Sequence, residues 1–179
     1  MNDVARLIEA VAQARARFLA SVSGLSPAQA TFKPEPTRWS ILEITEHIVR
    51  AEEAGVSGIW RALDGYRREA PLWSGDPTHK GLSIEDVVSR TWQPKEQVPE
   101  IAAPRWGGSL SYWVATLRSK QLVLEDLAQS LSGVALENVI YPHPISGPLD
   151  VRQRLAFLGF HLDRHRDQVD VLKGEPGFP

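Results

Sequence analysis

The chain has 179 residues, with 20 basic and 22 acidic side chains and a formal net charge of -2. This length suits a single domain over residues 1–179, which can bury a sufficient core without crosslinks. The balanced charge argues against a nucleic acid or an anionic membrane surface as a partner. Because there is no cysteine, disulfides, thiolate zinc sites and a cysteine nucleophile are excluded from this chain.

The amino terminus is charged and amphipathic, beginning MNDVARLIEAVAQARARF. It has neither the continuous apolar segment of a signal peptide nor an apolar run long enough to span a membrane. We therefore expect a soluble, cytoplasmic protein.

Apolar residues at helical spacing predict a first long helix over about residues 3–23, which Gly24 ends. The next stretch, LSPAQATFKPEPTRW, has Ser26 as a cap and Pro27 at the first helical position. These two residues predict one short helical turn.

A second long helix is predicted from Ser40, where a capping box with Glu43 marks its start, to about Tyr66. Its apolar surface is broad, as in a helix that is enclosed by more than one neighbour. Its charged residues are expected to form a solvated face: Glu43, Glu46, Arg50, Glu53, Arg61 and Asp64.

His47 lies at the edge of the apolar surface of this helix, in line with the small residues Ala54 and Gly58. Small neighbours leave room for an ion or a substrate. On its own, a histidine at such an edge is more often a boundary residue that contacts water.

Loops and one short helix are predicted in the middle of the chain. Residues 67–82 are rich in Gly, Pro and Ser and predict a loop. Ser83 caps a short helix over residues 84–93, which Pro94 ends, and residues 94–108 predict another long connection.

The carboxyl-terminal part predicts two more long helices. Ser109 caps a helix over about residues 110–131, and Pro148 begins a last helix that runs to residue 173, before Gly174. No segment shows a convincing strand pattern. Four long helices with long loops and short extra helices indicate an all-α bundle.

The last helix carries His161 and His165 one turn apart, in the string HLDRHRDQ. At this spacing both imidazoles lie on the same face. That face is apolar, and its stripe consists of Leu155, Leu158, Leu162, Val169 and Leu172. The pair can be two core histidines with separate hydrogen-bond partners, or one divalent cation can satisfy both.

The neighbouring residues exclude two common classes of metal site. The three residues between the histidines read LDR, so the Glu of an HExxH metalloprotease is missing. No Glu lies three residues before His47, His161 or His165, which argues against a di-iron carboxylate bundle. An all-histidine mononuclear site remains.

Three segments, RWSILEITEH, HPISGPL and HLDRHRDQV, together resemble the DinB/YfiT-like superfamily. The resemblance covers nearly the whole chain and implies an up-down-down-up four-helix bundle, usually a homodimer. It also implies one divalent metal ion held by three histidines, which by motif match are His47, His161 and His165. Zinc or nickel is favoured, with iron or manganese as alternatives. The six tryptophans also suit a homodimer interface.

Other residues near these motifs are weaker candidates. His143, in the HPxxG segment, is expected to fix a loop rather than to be a fourth ligand. Arg154 lies two turns before His161 on nearly the same face; it can recognise a carboxylate, although an orientation toward solvent is favoured. Glu52 is a candidate acid or base beside the metal, although a surface or helix-pairing role is favoured.

Three protein nitrogens leave at least one coordination position for water or substrate, as in catalytic zinc sites. The resemblance implies a family that includes thiol S-transferases and isomerases that use bacillithiol, mycothiol or glutathione, and hydrolase-like members. The first hypothesis is therefore a metal-dependent enzyme that transfers a low-molecular-weight thiol, as cosubstrate, to a small electrophile. A metal-dependent hydrolase is the second, and a non-catalytic metal-binding or small-molecule-binding protein of the stress response is the third.

Overall fold

The computed structural model describes residues 3–92 and 98–179. Four long helices dominate it: α1 (Asp3–Ser21), α3 (Ile41–Arg67), α5 (Leu110–Ser130) and α6 (Val151–Lys173). The remaining elements are α2 (Pro27–Thr31), α4 (Ile84–Thr91), a 3₁₀ turn (Leu136–Asn138), β1 (Ile140–His143) and β2 (Gly147–Asp150). In this part of the chain no helix is both long and apolar enough to cross a membrane.

Contacts between side chains give the relative directions of the long helices. Arg17 of α1 pairs with Asp163 of α6 at 2.6 Å, and Lys173 at the end of α6 donates to the Ser21 carbonyl at the end of α1. The helices α1 and α6 are therefore parallel.

The second pair of long helices is also parallel, because Glu53 of α3 contacts Lys120 of α5 at 3.3 Å and Arg67 contacts the Ser130 carbonyl at 2.7 Å. By contrast, α3 and α6 are antiparallel, because the start of α3 lies against the later turns of α6. Each long helix packs on two others, in the pairs α1–α6, α6–α3, α3–α5 and α5–α1. The chain thus forms the expected up-down-down-up bundle.

The centre of the bundle is apolar and contains residues from all four long helices. Fully buried members include Phe18, Ile48, Ile59, Leu117, Leu124 and Leu155. Burial of each such side chain contributes about 1.5–3 kcal/mol. The predicted capping box holds the start of α3, because the Ser40 hydroxyl accepts from the Glu43 amide at 3.3 Å and Glu43 accepts from the Ser40 amide at 2.8 Å.

The all-α fold is confirmed, and the structure adds two short strands that the sequence did not predict. Strands β1 and β2 pair antiparallel as a short hairpin, in which Pro142 lies opposite Pro148. Four-residue strands are too short to show a clear alternation of apolar and polar residues, and prolines are unusual within strands. For this reason the segment resembled a loop in the sequence.

The hairpin also changes the predicted start of the last helix. Helix α6 begins at Val151 rather than at Pro148, because Pro148 belongs to β2. Asp150 is its cap and accepts from the Gln153 amide at 2.9 Å, while the Gln153 side chain accepts from the Asp150 amide at 3.3 Å. This capping box fixes where α6 begins.

Two other helix ends differ slightly from their predicted positions. Helix α1 ends at Ser21 rather than at residue 23, and a turn leads to Gly24. Helix α4 ends at Thr91 rather than at residue 93, because the backbone of Trp92 is extended. The predicted stop at Pro94 lies outside the described residues.

Candidate metal centre

Three histidines from two helices meet inside the bundle. The Nε2 atom of His161 lies 3.2 Å from that of His47 and 3.0 Å from that of His165. All three side chains are buried, and their ligand atoms lie within 4.8 Å of one another. Within residues 3–92 and 98–179, this is the one group of three or more His, Cys, Asp or Glu residues with such a geometry.

Two of these imidazoles have a defined tautomer. The Nδ1–H of His47 donates to the Ala102 carbonyl at 2.8 Å, and the Nδ1–H of His165 donates to Oε1 of Gln168 at 2.7 Å. In a neutral ring the other nitrogen then carries a lone pair. Both of these Nε2 lone pairs converge on His161, whose Nε2 has at most one proton to share between them.

This donor set fits a divalent metal ion. Zinc binds imidazole nitrogen at about 2.0–2.1 Å, so nitrogens of a tetrahedral site lie about 3.3 Å apart. The two Nε2 separations, 3.2 and 3.0 Å, are close to that value. The three histidines are therefore able to hold one ion with only a small adjustment.

Burial also keeps the three imidazoles neutral. It lowers the pKa of His47 to about 4 and that of His165 to about 3, against an ordinary value near 6.5. Burial and the three neighbouring histidines lower the pKa of His161 well below its usual range. At neutral pH all three are thus in the form that binds metal.

The free energy of unfolding of the metal-free protein is expected to fall in acid. The unfolded chain protonates these histidines below about pH 6.5, whereas the folded chain does not protonate His47 until about pH 4. The contribution of these histidines to stability is therefore fully present above about pH 6.5 and is lost as the pH falls toward 4. Urea unfolding at several pH values measures how steeply the free energy of unfolding depends on pH. His165→Asn should reduce this slope by up to about 1.4 kcal/mol per pH unit. Equal slopes in the two proteins would contradict the prediction.

The histidines form part of the wall of a cavity of about 620 Å³. Pockets for small molecules commonly measure about 300–1,000 Å³. Aromatic side chains lie beside the histidines: the Trp39 ring is 4.9 Å from that of His47, and the Trp92 ring is 6.4 Å from that of His161. The cavity can thus accommodate a small, largely apolar molecule beside an ion.

Glu46 anchors a loop that covers the start of α3. Its carboxylate accepts hydrogen bonds from the amides of Arg105, Trp106 and Gly107, at 2.7, 2.9 and 2.9 Å. The same loop carries Ala102, whose carbonyl accepts from His47. Glu46 therefore helps to orient a histidine that it does not touch.

The prediction that Glu46 and Arg50 lie on a solvated face of α3 was wrong, because both are buried. Arg50 donates to the Ile101 carbonyl at 2.8 Å and stacks over the Trp106 ring at 5.0 Å. Helical periodicity describes only the helix itself. It gives no sign that an irregular loop packs on the charged side.

The sequence pattern of the DinB superfamily matches residues 10–169. The chain belongs to the DinB superfamily. This is a metal-binding family, and the match confirms the resemblance seen in the three segments. A relative in Bacillus subtilis strain 168, named "Uncharacterized protein YuaE", is 26% identical over 164 residues, covering 90% of this chain and 93% of the relative. No solved structure matches the chain significantly.

His143, in the HPxxG segment of the DinB-like motif, lies outside the three-histidine group. Its Nδ1 accepts from the amides of Ile145 and Ser146, at 3.2 and 3.0 Å. Burial lowers the pKa of His143 to about 3, so the ring stays neutral and able to accept. It fixes the turn of the hairpin, as expected.

Glu52 is buried, which excludes the surface role considered for it. Its carboxylate pairs with Arg15 of α1, and Arg15 also donates to Gln121 of α5. Burial raises the pKa of Glu52, and Arg15 opposes this effect. The residue therefore joins helices of the bundle, and it also lines the cavity.

The preferred solvent orientation for Arg154 was wrong. This side chain is 4% exposed and lies between two rings, 5.5 Å from that of Tyr141 and 5.6 Å from that of Phe157. A Cβ atom at Gly55 would lie 3.0 Å from its Nη2, and one at Gly58 would lie 2.7 Å from the Tyr141 ring. The space left by small residues on α3 is thus filled by Arg154 and Tyr141.

The sequence alone assigns no role to several residues around the histidines. Gln168 had a usable signal, because it follows His165 by three residues and so lies on the same helical face. Ala102 had none, since it acts through its backbone carbonyl. Trp39 belongs to the RWSILEITEH segment of the resemblance without an assigned role, and Trp92 was counted only among the tryptophans.

Proposed function

We propose that this protein is a divalent-metal-dependent enzyme that transfers a low-molecular-weight thiol to an electrophile. We further propose that His47, His161 and His165 hold the ion. The observation that carries this proposal is the convergence of the three Nε2 atoms in the wall of a cavity of about 620 Å³. A structural ion needs no adjacent cavity, whereas a reacting molecule does.

The chain lacks a cysteine, so a thiol nucleophile must enter as a cosubstrate. A bound cation supplies the charge that keeps such a thiol deprotonated at neutral pH. The three histidines supply neutral nitrogen ligands and leave at least one coordination position open.

The lining of the cavity favours transfer over hydrolysis. Ile48, Phe157 and Leu158 form apolar parts of its wall, and aromatic rings lie beside the histidines. Such a lining disfavours water and stabilises an apolar electrophile by contact. In the reaction a carbon–sulfur bond forms, the leaving group departs with the bonding pair, and the thiol proton passes to solvent.

Zinc and nickel are the ions that we propose first, with iron and manganese as alternatives, because all four accept imidazole. Mass spectrometry of protein purified without a histidine tag identifies the ion. The homodimer expected from the sequence remains a prediction.

The metal-loaded protein is expected to accelerate the reaction of a thiol with 1-chloro-2,4-dinitrobenzene. Bacillithiol, mycothiol and glutathione are tested separately, by the absorbance of the thioether product. The metal-free protein and His161→Ala should give the background rate. His79→Ala is the matched control, because His79 belongs to the loop before α4 and does not line the cavity.

Two results would overturn the transferase proposal. Metal-dependent turnover of an ester or amide panel, without any thiol transfer, would establish the hydrolase instead. Absence of both activities in the metal-loaded protein would favour a binding protein.

A further inference from the structure

Arg154 is a buried cation without an anionic partner among the residues that the structure describes. Its Nε and Nη1 atoms are fully buried, and neither has a hydrogen-bond partner. No ion pair involves this side chain among residues 3–92 and 98–179, yet it lines the same cavity as the three histidines. A buried guanidinium normally has a carboxylate or phosphate beside it, because an unpaired buried charge is costly.

The guanidinium stays charged despite its surroundings. Burial lowers the pKa of Arg154 to about 10, which is still far above neutral pH. The rings of Tyr141 and Phe157 stabilise the cation in part and hold its position. Neither ring supplies a negative charge.

Other charges around the cavity leave an excess of positive charge. Arg61 donates to the Tyr141 hydroxyl at 3.0 Å, and Arg164 stacks over the Trp92 ring at 5.2 Å. Neither has an ion pair within the described part of the chain. Among the described lining residues there are two carboxylates, and both are already paired with arginines: Glu52 with Arg15 and Asp167 with Arg166.

We infer that Arg154 binds a carboxylate of the small-molecule substrate, in the cavity beside His47, His161 and His165. The carboxylate supplies the missing negative charge, and the apolar lining contacts the remainder of the molecule. The substrate class is thus an apolar or aromatic carboxylate. This inference rests on the proposed function in placing the substrate of that reaction in this cavity.

The test compares two probes of nearly equal shape, 3-phenylpropionate and its neutral amide, 3-phenylpropionamide. Calorimetric titration of the metal-free protein isolates the contribution of Arg154, because a bound cation would itself attract a carboxylate. We expect the wild type to bind the carboxylate about tenfold or more tightly than the amide. Arg154→Met should lose this preference, and Arg154→Lys, which keeps the charge, should retain part of it.

Arg152→Met is the matched control, because Arg152 is an exposed arginine on the same helix, two residues away. It should keep the wild-type preference. Arg154→Met should also fold with an equal or higher Tm, since the substitution removes a buried unpaired charge.

Equal binding of the two probes by the wild type, or an unchanged preference in Arg154→Met, would overturn the inference. A strongly lowered Tm of Arg154→Met together with equal binding by the wild type would assign Arg154 to packing alone. Because the titration needs neither metal nor thiol, its result is independent of the transferase assay. Failure of the carboxylate inference and failure of the transferase proposal are therefore distinguishable.

Discussion

His165→Ala is expected to abolish stoichiometric metal binding. The wild type should retain close to one ion per chain after dialysis, as measured by mass spectrometry of the metal. The alanine variant leaves only two imidazole ligands in a buried site. Two neutral nitrogens without a third cannot compensate for the loss of water ligands from the ion.

Two further variants make this experiment specific. Gln168→Leu removes the acceptor for the His165 Nδ1–H, so it should lower metal affinity by about 10–100-fold without abolishing it. His143→Ala removes a buried histidine of the same cavity that lies outside the group, and it should retain the ion. Full retention of metal by His165→Ala would disprove the ligand assignment.

Glu46→Ala is expected to lower the free energy of unfolding by about 3–5 kcal/mol, because it leaves three backbone amides without their charged acceptor. Urea unfolding measures this loss. The substitution should also weaken metal binding, since the loop that it releases carries the Ala102 carbonyl beside His47.

Glu46→Gln is the matched control for that substitution. Its remaining carbonyl oxygen can still accept from Arg105 and Trp106, which share Oε1 of Glu46, but the Gly107 amide would meet an NH₂ group. We expect a smaller loss, about 1–3 kcal/mol. If Glu46→Ala unfolds at the same urea concentration as the wild type, the loop does not depend on this carboxylate.

The features predicted correctly from the sequence are those that depend on neighbours within one helix. The capping box of Ser40 and Glu43 marks the start of α3 in the sequence and in the structure. The spacing of His161 and His165 likewise requires a shared face once the helix is known. The third histidine came from the family motif, because spacing cannot relate His47 to residues more than a hundred positions away.

The features missed from the sequence depend on contacts between distant segments. Glu46 has the spacing of a surface residue, and only the loop that ends at Gly107 and Gly108 makes it a buried acceptor. Arg154 is a long polar side chain that usually reaches solvent. Its burial depends on Gly55, since a side chain there would crowd the guanidinium.

The aromatic rings beside the histidines make the site visible to fluorescence. The Trp39 ring lies 4.9 Å from that of His47, and the Trp92 ring lies 6.4 Å from that of His161. An open-shell ion such as nickel quenches the emission of an adjacent indole, whereas closed-shell zinc does not. Trp113, which donates to the Gly107 carbonyl at 2.6 Å, is buried and does not line the cavity. The protein therefore contains a spectroscopic probe of any ion that the three histidines bind.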